Sequence, residues 1–511
     1  MVSTGLPPSP RRGEVAVATG HPLATEAALE TLRAGGSALD AAIAADAVMG
    51  FIEPMSTGIG GDVMAVVAEG SEIAVLNGSG RAGMAVDPSS VADNGHGFVP
   101  SAGGYAVTVP GAVGAWWDLH ERYGRLPWGQ VLAPAISAAT DGGVVGEVGS
   151  RLWHRARRRL GPAAEALYFS SGTAPVAGAL WRNPTLAATL ARVAADGPEV
   201  MYTGRIAADI VNSVVAAGGA LAAADLSTHR SEWSDPLRRP LGHYEVVTAP
   251  PNCQGMVVAL AAELLHESGD LWAAQAGPVT VAMAEALDRS FSLALDHVAD
   301  PAVVDVPSYA TLRDMVSGAR LHGPMPYGPG TVFTAVAAGD QMVALVSSVC
   351  DRFGAGVGVA TGGFVLQSRG RGFSLDASHP NALAPGKRPY HTIVPTILLE
   401  HGVPVLSIGV VGGIMQPQGQ IQILHHVLNG AGIRAAIEAP RFRLLGDGQV
   451  TAEPDLHSAD TAALAAAGYE VVNADKVDFG GAQAVLRRDG GLSAASDPRR
   501  DGVAIVATVG D

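Results

Sequence analysis

Residues 328–358 read GPGTVFTAVAAGDQMVALVSSVCDRFGAGVG, and this stretch decides how the rest of the chain is arranged. Gly328-Pro329-Gly330 is turn chemistry, TVFTAV is rich in β-branched residues, Ala338-Gly339-Asp340 marks a turn, and MVALVSSV returns as a second β-rich run. The pattern predicts a β-hairpin with Thr331 at the mouth of its first arm. A threonine inside a chain has a hydroxyl of very high pKa and no base attached to it. Cleavage of the Gly330–Thr331 bond would place a new α-amino group, of reference pKa ~8, beside that hydroxyl, so that one residue supplies both nucleophile and base. Taken alone, the stretch favours a plainer reading, a surface turn leading into an ordinary hairpin, because Gly-Pro-Gly-Thr is common loop chemistry.

The surrounding chain of 511 residues, 48% of them apolar, can bury a large core. Its 65 glycines and 33 prolines indicate many tight turns without any low-complexity segment. The formal net charge of -15, with no basic cluster beyond Arg155, Arg157, Arg158 and Arg159, argues against nucleic-acid binding. Cys253 and Cys350 cannot build a disulfide framework and lack metal-ligand spacing, so neither a metal nor a cofactor is expected. The N-terminal Arg pair is not followed by an apolar signal core, and no apolar run approaches membrane-spanning length; the expected compartment is the cytoplasm, with no membrane partner.

Working outward from the hairpin, Val15 to Ala18 reads as a strand, Pro22 opens an amphipathic helix, and Ala38 to Phe51 is apolar nearly all round, as a buried helix must be. Gly58-Ile59-Gly60-Gly61 precedes a strand (VMAVVA) instead of opening a helix, which excludes a dinucleotide fingerprint. A strand follows in IAVLNGSG, residues from about 109 to 221 read mainly as helices, and Tyr244 to Thr248 is a short strand before two further helices. Residues 301–330 lose periodicity and end in Pro324, Pro326 and Pro329, the composition of an exposed linker. Beyond the hairpin, GGFVLQS, TIVPTILLE and VPVLSIGVVGG read as strands, QGQIQILHHVLNG as a helix, and Ala482 to Val509 as strand-turn-strand. A helical first part and a strand-rich second part sharing one hairpin predict an α+β layered sandwich, two sheets enclosed by helices.

Several segments, in order, resemble the gamma-glutamyltransferases (gamma-glutamyl transpeptidases): GHPLATEAALETLRAGGSALDAAIAA, EPMSTGIGGD, LNGSGRA, VPGAVGAW, RLPWGQVLAPAI, AEALDRSF, PGKRPYHTIVPTI, VVGGIMQPQGQ and EAPRFR. The resemblance covers nearly the whole chain from about Gly13. It implies an αββα sandwich of the N-terminal-nucleophile hydrolase type and a zymogen that cuts itself before Thr331. Residues 1–330 would form a large subunit and 331–511 a small catalytic subunit, one fold held together as a heterodimer, with further dimerisation left open. The hairpin turn is one residue shorter than the family pattern, and the gap belongs in the turn, since the other register would put Gly330 at the nucleophile position.

The resemblance also implies roles for single residues. Gly412 and Gly413 match the glycine pair of the oxyanion hole, Ser348 the hydroxyl that supports the nucleophile, and Arg81 the arginine that binds a substrate carboxylate. His391 and Thr392 stand where the family often has a serine pair reaching the same carboxylate. Departures bear on the substrate: where the transpeptidases have a Gln and an Asp that pairs with the γ-glutamyl ammonium, this chain has Arg369 and Gly372, and the nearby Asn is Cys350. A cation without a carboxylate partner disfavours a substrate ammonium. The segment GFSLDASHPNALAPGKRP is also shorter than the family's lid. The chain therefore resembles the divergent branch that includes glutaryl-cephalosporin acylases and oxamate amidohydrolase. The expected function is hydrolysis or transfer of a carboxylate-bearing acyl group, γ-glutamyl or glutaryl, from a small-molecule amide. A strict glutathione hydrolase or transpeptidase, and an unprocessed non-catalytic scaffold, remain as alternatives.

Overall fold

The hairpin forms with Gly330–Ala338 and Gln341–Cys350 paired antiparallel around a two-residue turn, Gly339-Asp340, which brings Ser348 directly opposite Thr331. Both arms are buried almost throughout, so the reading of a surface turn at Thr331 does not hold. The structure is a computed structural model describing residues 13–510, except 93–97, 170–171, 275, 324, 326–327 and 329. Pro324, Pro326 and Pro329 of the expected linker, and the leader before Gly13, lie outside the described residues.

The hairpin sits in the middle of a seven-stranded sheet. In spatial order its strands are Val503–Thr508, Glu14–Thr19, Gly330–Ala338, Gln341–Cys350, Asp62–Glu69, Glu72–Asn77 and Glu232–Ser234. A six-stranded sheet faces it, ordered Gly491–Ser496, Gly481–Arg488, Val403–Val411, Thr396–Glu400, Tyr244–Thr248 and Leu237–Leu241. Side chains alternate across the hairpin as a pleated strand requires. Phe333, Ala335, Ala337, Met342, Ala344 and Val346 fill the layer between the sheets with Ile397, Leu399 and Val485. Val332, Val336, Val343 and Leu345 point the other way, onto the helices that cover the first sheet. The outer face of the second sheet is covered by Gly255–Ser268, Pro278–His297 and Met415–Leu428. This is the expected αββα sandwich.

The parity that buries Phe333 and Val346 between the sheets also turns Thr331 and Ser348 into that layer. Ser347, one residue out of phase, instead faces the buried helix Ala38–Ile52, where Asp46, with Thr57 from the turn after that helix, holds its hydroxyl. That helix is buried along its whole length and opens on a capping box made by Ser37 and Asp40.

Two strand expectations change. GGFVLQS contributes only the short strand Phe364–Val365, because Gln367 leaves the ladder to bind Asp62 with its side chain. The C-terminal strand-turn-strand is three strands divided between the sheets: Val503–Thr508 crosses to pair with Glu14–Thr19. Among the described residues no helix is long and apolar enough to cross a membrane.

Candidate active site

Thr331 is 4% exposed and has two side-chain partners: its Oγ1 donates to Ser348 Oγ at 3.2 Å and accepts from Gln416 Nε2 at 3.4 Å. Gln416 lies in the first turn of Met415–Leu428, held in place by the backbone N–H of Val394, which donates to its Oε1 at 3.0 Å. Gly412 and Gly413 make the turn into that helix at φ 117° and 60°, a backbone region that favours glycine. The carbonyls of Gly412 and Gly413 accept from Met415 N and Gln416 N. A trans peptide holds its C=O and N–H on opposite sides, so the N–H of Gly413 points away from the helix. The pair thus stands at a helix N-terminus, with donor and dipole both suited to developing negative charge.

Ser348 is the hub of the cluster. Its Oγ accepts from Cys350 N at 2.9 Å and from Arg369 Nη2 at 3.0 Å, and donates to the carbonyl oxygen of Gly330 at 2.5 Å. Cys350, at φ 74°, forms a bulge in the ladder that turns its N–H onto Ser348. Its thiol is buried, which pushes its pKa up. Arg369 is 1% exposed, reaches Thr392 Oγ1 with Nη1 at 2.9 Å, and has no partner for Nε. No Asp or Glu among the described residues forms an ion pair with it. Nearby, Arg159 and Arg371 share the single carboxylate of Asp351, whose backbone carbonyl packs on Gly330. The surroundings of the Gly330–Thr331 bond are cationic.

The structure corrects the role expected of His391. Its Nε2 binds Asp62 at 3.0 Å and its Nδ1 accepts from Ile393 N at 3.3 Å, so the ring, fully buried, has no polar atom left for a substrate. Burial, and then the charge of Arg369, push its pKa down to about 4, so it is neutral near pH 7 with the proton on Nε2. Asp62 also accepts from Gly80 N, Gly111 N and Gln367 Nε2, tying four segments together beneath the site. Asp62→Ala strands these buried donors and should lower unfolding free energy by about 3 kcal/mol or more, read from denaturant melts. Loss below about 1 kcal/mol would mean that the segments are held by other contacts.

Arg81 has no hydrogen bond into the Thr331 cluster. Its Nη1 binds Asp300 at 2.7 Å and Nη2 binds Glu232 at 2.8 Å, so a substrate carboxylate would have to displace a protein one. At Gly372 a Cβ would fall 2.6 Å from the carbonyl oxygen of Tyr390, which leaves no room for the Asp of the transpeptidase pattern. Gln416 and Asp62 were not singled out from the sequence, although each lies within a motif that was, VVGGIMQPQGQ and EPMSTGIGGD. Among the described residues no group of three or more His, Cys, Asp or Glu is placed to hold a metal ion.

Comparison with known proteins bears on the family and the fold. A family model described as Gamma-glutamyltranspeptidase matches residues 24–507. The chain is 32% identical over 519 residues to the "Glutathione hydrolase-like YwrD proenzyme" of Bacillus subtilis, covering 96% of this chain and 98% of that one. It is 32% identical over 520 residues to the "Oxamate amidohydrolase proenzyme" of Klebsiella pneumoniae, covering 95% and 97%. Among solved structures, cephalosporin acylase from Bacillus halodurans superposes with a TM-score of 0.90 at 34% identity over 99% of both chains.

Proposed function

The chain belongs to the gamma-glutamyltranspeptidase family, and from that premise we propose that Thr331 is the nucleophile of a self-processing amide hydrolase acting on an acyl group that carries a carboxylate. The observation that carries this reading is the Thr331–Ser348–Arg369 cluster, a hydroxyl nucleophile beside a buried guanidinium without an acidic partner.

After cleavage the Thr331 amine takes the proton of its own hydroxyl, Oγ1 attacks the amide carbonyl, and Gly412 and Gly413 face the oxyanion. Gln416 orients the hydroxyl, as its contact at 3.4 Å indicates. The leaving amine departs with a proton and water, or an acceptor amine, takes the acyl group. Arg369, assisted by Thr392, receives the acyl carboxylate; Arg81, already paired twice, is the more distant candidate. The relatives named for oxamate and cephalosporin amides fit such an acyl group, and the one named for likeness to glutathione hydrolases marks γ-glutamyl amides as the competing substrate.

In the first sheet Glu14–Thr19 lies between two strands of 331–511 and Asp62–Glu69 pairs with a third, and in the second sheet Thr396–Glu400 pairs with Tyr244–Thr248. The two fragments should therefore stay associated after cleavage: two bands on a denaturing gel, one peak in native size exclusion. A single uncut band from fully active protein, or fragments that separate without denaturant, contradicts the reading.

A further inference from the structure

A hydroxyl has one proton and two lone pairs. At Ser348 the two closest donors are groups that can only donate, Cys350 N at 2.9 Å and the Arg369 guanidinium at 3.0 Å, with Thr331 Oγ1 a longer third at 3.2 Å. The Ser348 proton is thereby directed outward, and it lies on the carbonyl oxygen of Gly330, at 2.5 Å. That carbonyl belongs to the bond whose cleavage would free Thr331. Arg369 itself touches neither atom of that bond; it is buried, pinned on the other side by Thr392, and its guanidinium stands two hydrogen bonds from the reacting carbonyl, through Ser348.

We propose that Arg369 is a positioning residue for self-cleavage, holding and polarising the Ser348 hydroxyl so that it stabilises the oxyanion formed at Gly330. This rests on Thr331 as the processing nucleophile. Thr331 Oγ1 attacks the Gly330 carbonyl carbon as its proton leaves, and the C=O electron pair moves to oxygen, where Ser348 donates to it. The Gly330–Thr331 C–N bond then breaks, the nitrogen takes the proton that left Oγ1 and becomes the free amine, and the acyl group rests on Oγ1 as an ester. Water hydrolyses the ester, giving the Gly330 carboxylate and restoring the hydroxyl. No other reactant is needed. A charge-assisted donor behind Ser348 strengthens its hydrogen bond most when the oxygen becomes anionic, so the benefit falls on the rate and not on the fold.

The inference predicts how variants of the full chain convert from one band to two after purification as precursor. Arg369→Ala should convert about tenfold or more slowly than the native chain, Arg369→Gln, which keeps a donor, at an intermediate rate, and guanidinium ion at low millimolar concentration should speed up Arg369→Ala but not the native chain. Ser348→Ala should be slowed at least as much, and the double variant Ser348→Ala/Arg369→Ala should be no slower than Ser348→Ala alone, because Arg369 acts through that hydroxyl. Arg369→Gln provides the test should Arg369→Ala fail to fold. Native-rate conversion by either Arg369 variant, absence of guanidinium rescue, or losses that multiply in the double variant would overturn the relay. Thr331→Ala serves as the control: conversion there defeats the nucleophile assignment itself, whereas native-rate cleavage before Thr331 in Arg369→Ala defeats only the relay.

Discussion

Thr331→Ala protein should remain a single chain of 51.8 kDa and hydrolyse no amide, the largest effect expected of any single substitution in this molecule. Under the proposed mechanism the substitution removes the attacking atom of both the precursor and the mature site, so maturation and turnover are lost together. Stability should hardly change. Thr331 gives up one hydrogen bond to Ser348 and one from Gln416, at about 1 kcal/mol each, within a strand whose ladder is untouched. Thr331→Ser keeps an attacking oxygen and should still cut. An alanine variant that cleaves, or that retains more than a trace of activity, would place the chemistry elsewhere.

The second large effect concerns the acyl group. A γ-glutamyl group brings an ammonium next to its carboxylate, and the described site offers it Arg369, Arg371 and Arg159 against two carboxylates that are already engaged: Asp351, shared by two of the arginines, and Asp62, held by His391, Gln367 and two backbone N–H groups. An unpaired ammonium there costs on the order of 1 to 3 kcal/mol, about ten to two-hundred-fold in kcat/KM. Glutaryl-p-nitroanilide should accordingly be cleaved at least about tenfold better than γ-glutamyl-p-nitroanilide, per processed site. Arg369→Gln should narrow that ratio by lowering the glutaryl rate more than the γ-glutamyl rate, with rates normalised to cleaved protein because the same variant slows maturation. Restoring the transpeptidase Asp at Gly372 is not an equivalent test: the Tyr390 carbonyl stands where its Cβ would go, so backbone would have to shift first. A native preference for the γ-glutamyl compound by tenfold or more would mean that some other group receives the ammonium.

The hairpin and the buried helix were legible because their patterns are strong and local. β-branched arms around Ala338-Gly339-Asp340 leave few alternatives, and the two-residue turn Gly339-Asp340 is what sets Ser348 opposite Thr331. The alternation of the two arms then carries Thr331 and Ser348 into the layer between the sheets. What stayed hidden depends on contacts that no spacing encodes. His391 offers both ring nitrogens to any polar neighbour, and only the fold brings it to Asp62, far away in sequence, and removes it from the substrate. Arg369 reads as a change of charge in the sequence; its lack of an acidic partner and its hold on Ser348 emerge only when QSRGRG is folded beside the hairpin. Val503–Thr508 has the same two-residue period whichever sheet it joins. It crosses to Glu14–Thr19 after a turn anchored by buried Asp497, which pairs with Arg441 and Arg499.

Conversion before Thr331 is the claim on which the rest depends, and N-terminal sequencing of the smaller fragment from purified native protein tests it most directly. The sequence should begin Thr-Val-Phe-Thr, the first residues after Gly330. A fragment that begins at any other residue, or fully active protein whose only N-terminus is that of the intact chain, would contradict the account.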